Sequence, residues 1–400
     1  MISLTYVFLE LLMLIVLYRA GITLKRNYRI LSHAGISAIV AYTFVLGMRF
    51  GRGIDYNVYW NLYEDVSKGL EFDKSIMFYF LIKFLVFLNF PYQILVLIMS
   101  FAFILGMLML LKNFKEVAPC ALPIFAILSQ SYVENMVRWY FAYSIFLIGL
   151  SYLIKDGRIN KYFITYSLLG ISIHYAFTPV PILFYILFKF RGPVLHPYLS
   201  IPIFLSIYFF FNTEFMSSFV NTIQTLTFLS GSAYEGYADN AEYWLTGGFS
   251  GLEKSGKIGG AVLVFLLFIV YFGYETVRFK GHNYVFAYNI TLIGLFFYPI
   301  SLLIELAERY DMTFFFFRAI VIASILGFSK YVWKKKHQYI SVFVLVCLLW
   351  TNVYIFTSPF QGSDKYFMFI WNHTKETSDN MINAWEDRAY DINRNSQNNK

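Results

Sequence analysis

The chain has 400 residues, 58% hydrophobic and only 14% charged, with a mean hydropathy of +0.56. A soluble domain carries roughly 25% charged residues, so the composition excludes a disordered chain, a secreted disulfide scaffold and an ordinary cytosolic enzyme. The net charge of +8 is not a nucleic-acid footprint, because the basic residues sit in short hydrophilic gaps between apolar runs, which is a topological pattern.

In chain order, apolar runs of crossing or near-crossing length occupy 2–18, 33–48, 92–111, 118–133, 137–154, 161–176, 177–189, 198–212, 258–276, 284–304, 313–330 and 338–356. Arg19 follows the first run and no basic residue precedes it, so that run is expected to stay as a crossing rather than be cleaved as a signal. The stretch 76–90 is apolar and aromatic but short, with Lys83 in its middle, and is read as an interfacial or re-entrant helix. With the amino terminus outside, the inside loops 19–32, 112–117, 155–161, 189–197, 275–283 and 330–337 hold 17 Lys/Arg against 3 Asp/Glu. The outside loops and tail hold 13 against 20, as the positive-inside rule requires. Counting 76–90 as a crossing would destroy that asymmetry.

The expected fold is therefore all-α, a polytopic transmembrane helical bundle of about 12 crossings. Its transmembrane domain covers 1–356, with outside loops 49–75 and 213–257 roofing a cavity, and a polar C-terminal tail covers 357–400. Cys120 and Cys347 both lie in apolar runs and read as small buried hydrophobes. There is no phosphate-binding loop of Walker type, so energy is expected from a substrate or an ion gradient.

Charged groups at a membrane boundary are expensive, and four clusters share the outer one. The first is Arg49-Phe50-Gly51-Arg52-Gly53-Ile54-Asp55-Tyr56, where glycines let backbone approach a ligand and guanidiniums can fork onto phosphate oxygens. The second is Asn135-Met136-Val137-Arg138-Trp139, at the start of an inward-running helix, a place that favours anions. The third is His174, the one histidine of the six within an apolar run, beside Pro179 and Pro181. An imidazole titrates close to neutrality and suits a general base. The fourth is Glu305, Glu308, Arg309 and Asp311, followed by Arg318 about five residues into the run 313–330. Each cluster also has a plain structural reading: an ion pair, a hydrogen-bonded buried histidine or an interface anchor. Glu10 and Lys83 receive no role, and no cluster has metal-ligand spacing.

Taken in order, Arg49/Arg52/Gly53/Asp55/Tyr56, Asn135/Arg138/Ala142, His174, and Arg309/Arg318 resemble the EpsG-like family of Wzy-type polysaccharide polymerases. Trp139 stands where that family usually has Gln. The resemblance implies an enzyme of the bacterial cytoplasmic (inner) membrane with its site facing outward. Such an enzyme polymerises undecaprenyl-pyrophosphate-linked oligosaccharide repeat units into O-antigen, capsule or exopolysaccharide by en bloc transfer. No cofactor or metal is expected, and the expected partners are the lipid-linked unit, membrane lipids, and chain-length regulator and flippase proteins. His174, Asp55 and Arg138 are the candidate catalytic residues. Arg49, Arg52, Tyr56, Asn135, Trp139, Arg309 and Arg318 are the candidate substrate-binding ones. A flippase of lipid-linked sugars or an O-antigen ligase would present similar arginines. A flippase should also show internal repeats and midplane charges, and neither is seen.

Overall fold

The computed structural model describes residues 4–27, 29–50, 55–70, 75–191, 195–211, 260–301, 305–357 and 368–369. Arg52, the side chain of Asp55, the 213–257 loop and the tail apart from 368–369 lie outside these residues. The described chain is helical except for one two-stranded pairing. Its helices are α1 Leu4–Asn27, α2 His33–Gly47, α3 Asp55–Ser67, α4 Ile76–Phe87, α5 Tyr92–Leu111, α6 Ala118–Asn135, α7 Val137–Asp156, α8 Lys161–Ile173 and α9 Pro179–Lys189. They continue as α10 Pro197–Phe211, α11 Gly260–Val277, α12 His282–Ser301, α13 Glu305–Phe315, α14 Arg318–Val332 and α15 His337–Thr357. The strands are β1 Arg49–Phe50 and β2 Met368–Phe369.

Six of the described spans are long and apolar enough to cross a membrane: Val7–Asn27, Tyr92–Phe114, Val137–Asp156, Gly260–Val277, His282–Ser301 and Glu308–Val332. A count of about twelve is not reached by length. Helix α2, for example, has 15 residues and extends about 22 Å, short of a hydrocarbon core of about 30 Å. This is a multi-pass membrane protein whose shorter apolar helices leave the number of crossings open.

The chain divides into two compact units. The first comprises Met1–Pro193, Glu275–Ala287 and Phe316–His373. Helix α7 is its centre, buried along nearly its whole length and packed between α5 and α8. Gly106 permits the α5 contact, since a Cβ there would stand 2.5 Å from the Ser144 carbonyl oxygen. Helix α2 packs on α5, α1 packs on α2 and α6, α6 touches both α5 and α7, and α14 and α15 close against α6. Phe8, Leu11, Leu12 and Ile15 on α1, and Val342, Leu345, Val346, Leu349 and Trp350 on α15, are exposed. In a bilayer such faces meet lipid, where apolar exposure costs nothing.

Helix ends follow local chemistry. Ser32 caps α2 by accepting from the Gly35 N–H, and Asn160 caps α8 by accepting from the Phe163 N–H at 2.8 Å. Gly157, at φ +72°, ends α7. Helix α4 stops at Phe87 because Asn89 turns left-handed at φ +55° and the Asn89 and Phe90 N–H groups bond back to Val86 and Leu85.

Helix α4 is one of the shorter apolar helices. Its twelve residues extend about 18 Å, and both of its ends meet α3. Ser75, just before it, shares Arg138 with Tyr59, and the Phe90 carbonyl, just after it, accepts from the Tyr63 hydroxyl at 2.5 Å. Ile76, Phe80, Phe84 and Phe87 form its exposed stripe. A helix thus forms within the stretch 76–90.

The second unit contains α10, most of α11, the later part of α12, and α13. The Tyr288 hydroxyl donates to the Val270 carbonyl at 3.0 Å, His196 lies 4.7 Å from Tyr274 ring to ring, and Phe297 stacks on Phe314. Asp311 is fully buried there and accepts from the Ser301 hydroxyl at 3.1 Å.

Candidate functional site

The site in the first unit begins where α2 ends. Gly47 is the last helical residue, and its carbonyl has no partner along the helix. The Gln93 side-chain amide, one residue into α5, donates to that carbonyl and to the Arg49 carbonyl, the latter at 3.1 Å. Arg49 is 2% exposed, and one guanidinium nitrogen donates to the Leu46 carbonyl at 2.8 Å. Arg49 and Phe50 then pair antiparallel with β2, Arg49 opposite Phe369 and Phe50 opposite Met368. The segment following the last helix thus returns to the segment following the second.

Helix α3 lies across this end with tyrosines at 56, 59 and 63 on one face. The Tyr56 hydroxyl donates to the Gln93 side-chain oxygen Oε1 at 3.1 Å, and its ring sits among Phe50, Trp60 and Tyr92 in edge-on contacts. Burial pushes the Tyr56 phenol well above its usual 10.0, with the Arg49 cation pulling weakly the other way. Tyr56 is therefore a neutral hydrogen-bond donor.

Tyr59, one turn on, accepts from Arg138 Nε at 2.9 Å. Arg138 also donates to Ser75 Oγ at 3.2 Å and lies over the rings of Tyr59 and Phe78, 5.6 and 6.0 Å from their centroids. It is half-buried in the first turn of α7, beyond a corner at Met136 (φ −101°, ψ 55°) that follows Asn135. The next residue, Trp139, is 2% exposed and meets His174 edge-on at 5.3 Å and Phe177 at 5.2 Å.

His174 sits in an extended break (φ −150°, ψ 104°) between α8 and a short 3-10 turn, Tyr175–Phe177. Helix α9 then runs back beside α8: Phe163 and Tyr185 are 6.4 Å apart, and a Cβ on Gly157 would lie 3.9 Å from the Arg191 guanidinium. His174 thus tops a helical hairpin, as its position beside Pro179 and Pro181 led one to expect.

Arg318 departs from expectation. The backbone breaks at Phe316–Phe317, and Arg318 takes the first position of α14 instead of lying inside a continuous helix over 313–330. The two rings at the break have different destinations. Phe316 packs on Phe125 and Tyr140, and Phe317 on Phe184 and Phe286. Because Phe316 is 5.4 Å from Tyr140, the start of α14 is level with the first turn of α7. Arg309 belongs to the second unit, on α13, where its carbonyl accepts from the Thr313 hydroxyl at 2.7 Å.

A small cavity of about 10 Å³ lies beside Arg49, lined also by Ser100, Phe103, Val137, Tyr140 and Ser144, with room for about one water molecule. Among the described residues no three His, Cys, Asp or Glu side chains gather as metal ligands.

One end of the first unit therefore gathers Arg49, Tyr56, Asn135, Arg138, Trp139, His174 and Arg318 from six separate stretches of helix and strand. Sequence reasoning missed Gln93 and Ser75 and gave Tyr59 no role. Gln93 had a signal: it is the one amide side chain in the apolar run 92–111. Ser75 had none.

A family model, that of the EpsG family, matches residues 34–370. The chain belongs to the EpsG family. That family is one of Wzy-like polysaccharide polymerases, so membership makes polysaccharide polymerisation the class of activity. The EpsG match starts at the beginning of α2 and ends one residue beyond β2. It thus takes in every cluster at this end of the first unit. No curated protein and no solved structure matches the chain.

Proposed function

We propose that this EpsG-family chain joins lipid-pyrophosphate-linked oligosaccharide repeat units, carried on undecaprenyl pyrophosphate, at the outer face of a bacterial cytoplasmic membrane. The growing chain leaves its carrier and passes en bloc to the free end of an incoming unit. The observation that carries this reading is the gathering of Arg138, Arg49 and His174 at one end of the first unit. That end is the outer one by the distribution of basic residues.

The reaction needs three things. An acceptor hydroxyl oxygen forms a bond to the anomeric carbon as the bond from that carbon to the pyrophosphate oxygen breaks. The electron pair leaves with the pyrophosphate, and the hydroxyl proton goes to a base. Fixed cations act most strongly on charge that grows during the step, and more so where water is excluded. Arg138, Arg49, Arg52 and Arg318 are assigned to the pyrophosphates, with Asn135 beside them. His174 is the base, Asp55 and Tyr56 orient sugar, and Trp139 holds the His174 ring edge-on. Chain-length regulator and flippase proteins are the expected partners.

The test uses purified protein in nanodiscs with lipid-linked repeat unit from the host, and products sized on a gel. A ladder with release of undecaprenyl pyrophosphate, lost in Arg138→Ala and His174→Ala, supports the reading. Binding of the lipid-linked unit without a ladder would turn it toward a flippase.

A further inference from the structure

The end of α2, strand β1 and helix α3 meet on a single side chain carried by α5. Gln93 donates from Nε2 to the carbonyls of Gly47 and Arg49 and accepts at Oε1 from Tyr56. Its partners are 46, 44 and 37 positions away in sequence. An amide suits this place: two carbonyls require donors and the phenol requires an acceptor, and among uncharged side chains only Asn and Gln offer two N–H donors and an acceptor in one planar group. A flipped amide would set its oxygen against two carbonyl oxygens, so the network itself fixes the orientation. The other edge of β1 is taken by β2. Arg49 is thus held by Gln93 at its own carbonyl, by Leu46 at its guanidinium, and by the returning strand along its backbone.

We infer that Gln93 is a positioning residue for Arg49, fixing the arginine's backbone and with it the place from which its guanidinium meets the substrate's pyrophosphate. The inference rests on the reading of Arg49 as a substrate-binding residue. Gln93 itself touches only protein. It acts by locking β1 and the start of α3 to the end of α5, so that Arg49 and Tyr56 keep a fixed relation.

A double-mutant cycle tests this, with full-length protein in nanodiscs and undecaprenyl pyrophosphate as the probe. Gln93→Met keeps the side-chain length and removes all three bonds. If Gln93 acts through Arg49, Gln93→Met weakens binding about tenfold in the native background and less than about twofold in an Arg49→Ala background, a coupling normal for residues of one network. A merely structural role gives the same factor in both backgrounds, and that result, like an unchanged affinity in Gln93→Met, overturns the inference. Should Gln93→Met fail to fold, Gln93→Glu takes its place, since it keeps the acceptor for Tyr56 and loses the donors. If Arg49→Ala alone leaves affinity unchanged, the assignment of Arg49 to the substrate fails and the inference fails with it, a pattern distinct from an Arg49 effect without a Gln93 effect.

Discussion

Arg138 donates its Nε–H to the Tyr59 hydroxyl at 2.9 Å, across 79 positions of sequence. Its second donor reaches Ser75, just before helix α4. One guanidinium therefore joins the first turn of α7 to α3 and α4, and it does so through two different nitrogens.

That division of labour sets an expectation for substitutions. Arg138→Ala should lower transfer of lipid-linked units at least about tenfold, or about 1.4 kcal/mol. Arg138→Lys should recover little of it, because an ammonium is a point charge without the planar fork. Turnover in nanodiscs measures both, and an Arg138→Ala enzyme within tenfold of the parent would remove Arg138 from the site.

Trp139 is the packing partner of His174. Trp139→Ala should cost about 3–5 kcal/mol of stability, as large-to-small changes of buried aromatics do, whereas Trp139→Phe should cost clearly less. Thermal unfolding in detergent separates them; equal midpoints for the two variants would mean that the ring is not held as described.

The pH dependence has a definite sign. A phenol whose folded value is raised above 10.0 by burial contributes stability that is complete below about pH 10, and that contribution is lost as pH rises through the folded value. Between pH 6 and 9, Tyr56 should contribute no titration to activity, and Tyr56→Phe should flatten the alkaline loss of stability. An alkaline arm unchanged in Tyr56→Phe would assign it to another group.

Gly106 is where α5 comes closest to α7. A methyl there would stand 2.5 Å from the Ser144 carbonyl oxygen, and backbone cannot yield as a flexible side chain does. Gly106→Ala should therefore destabilise by about 1–3 kcal/mol, read as a lowered thermal midpoint in detergent. A neutral result would show that the two helices can part without loss.

The legible features were those written in charge and in helix-breaking residues. Lys83 within a short apolar stretch set α4 apart from its longer neighbours, and Pro179 and Pro181 marked the break that carries His174. Arg138 stood out as a cation at the start of an apolar run. What the sequence did not disclose were pairings between distant neutral groups. Gln93 makes its three bonds over gaps of 37 to 46 positions, and an amide carries no charge to announce itself. The break before Arg318 was equally hidden, because four consecutive phenylalanines read as one uniform apolar run while two of them pack in different places. Met368 and Phe369 lie in a segment whose composition is mostly polar, so their return to Arg49 had no periodic signal.

That return has a consequence for how the protein comes into being. Phe50 waits for Met368, which leaves the ribosome more than three hundred residues later. At about 5–20 residues per second the delay is roughly 15–65 s. Through that interval the nascent chain holds Arg49 and Phe50 without the strand that pairs with them, so this part of the fold can close only after nearly all of the helices have been made.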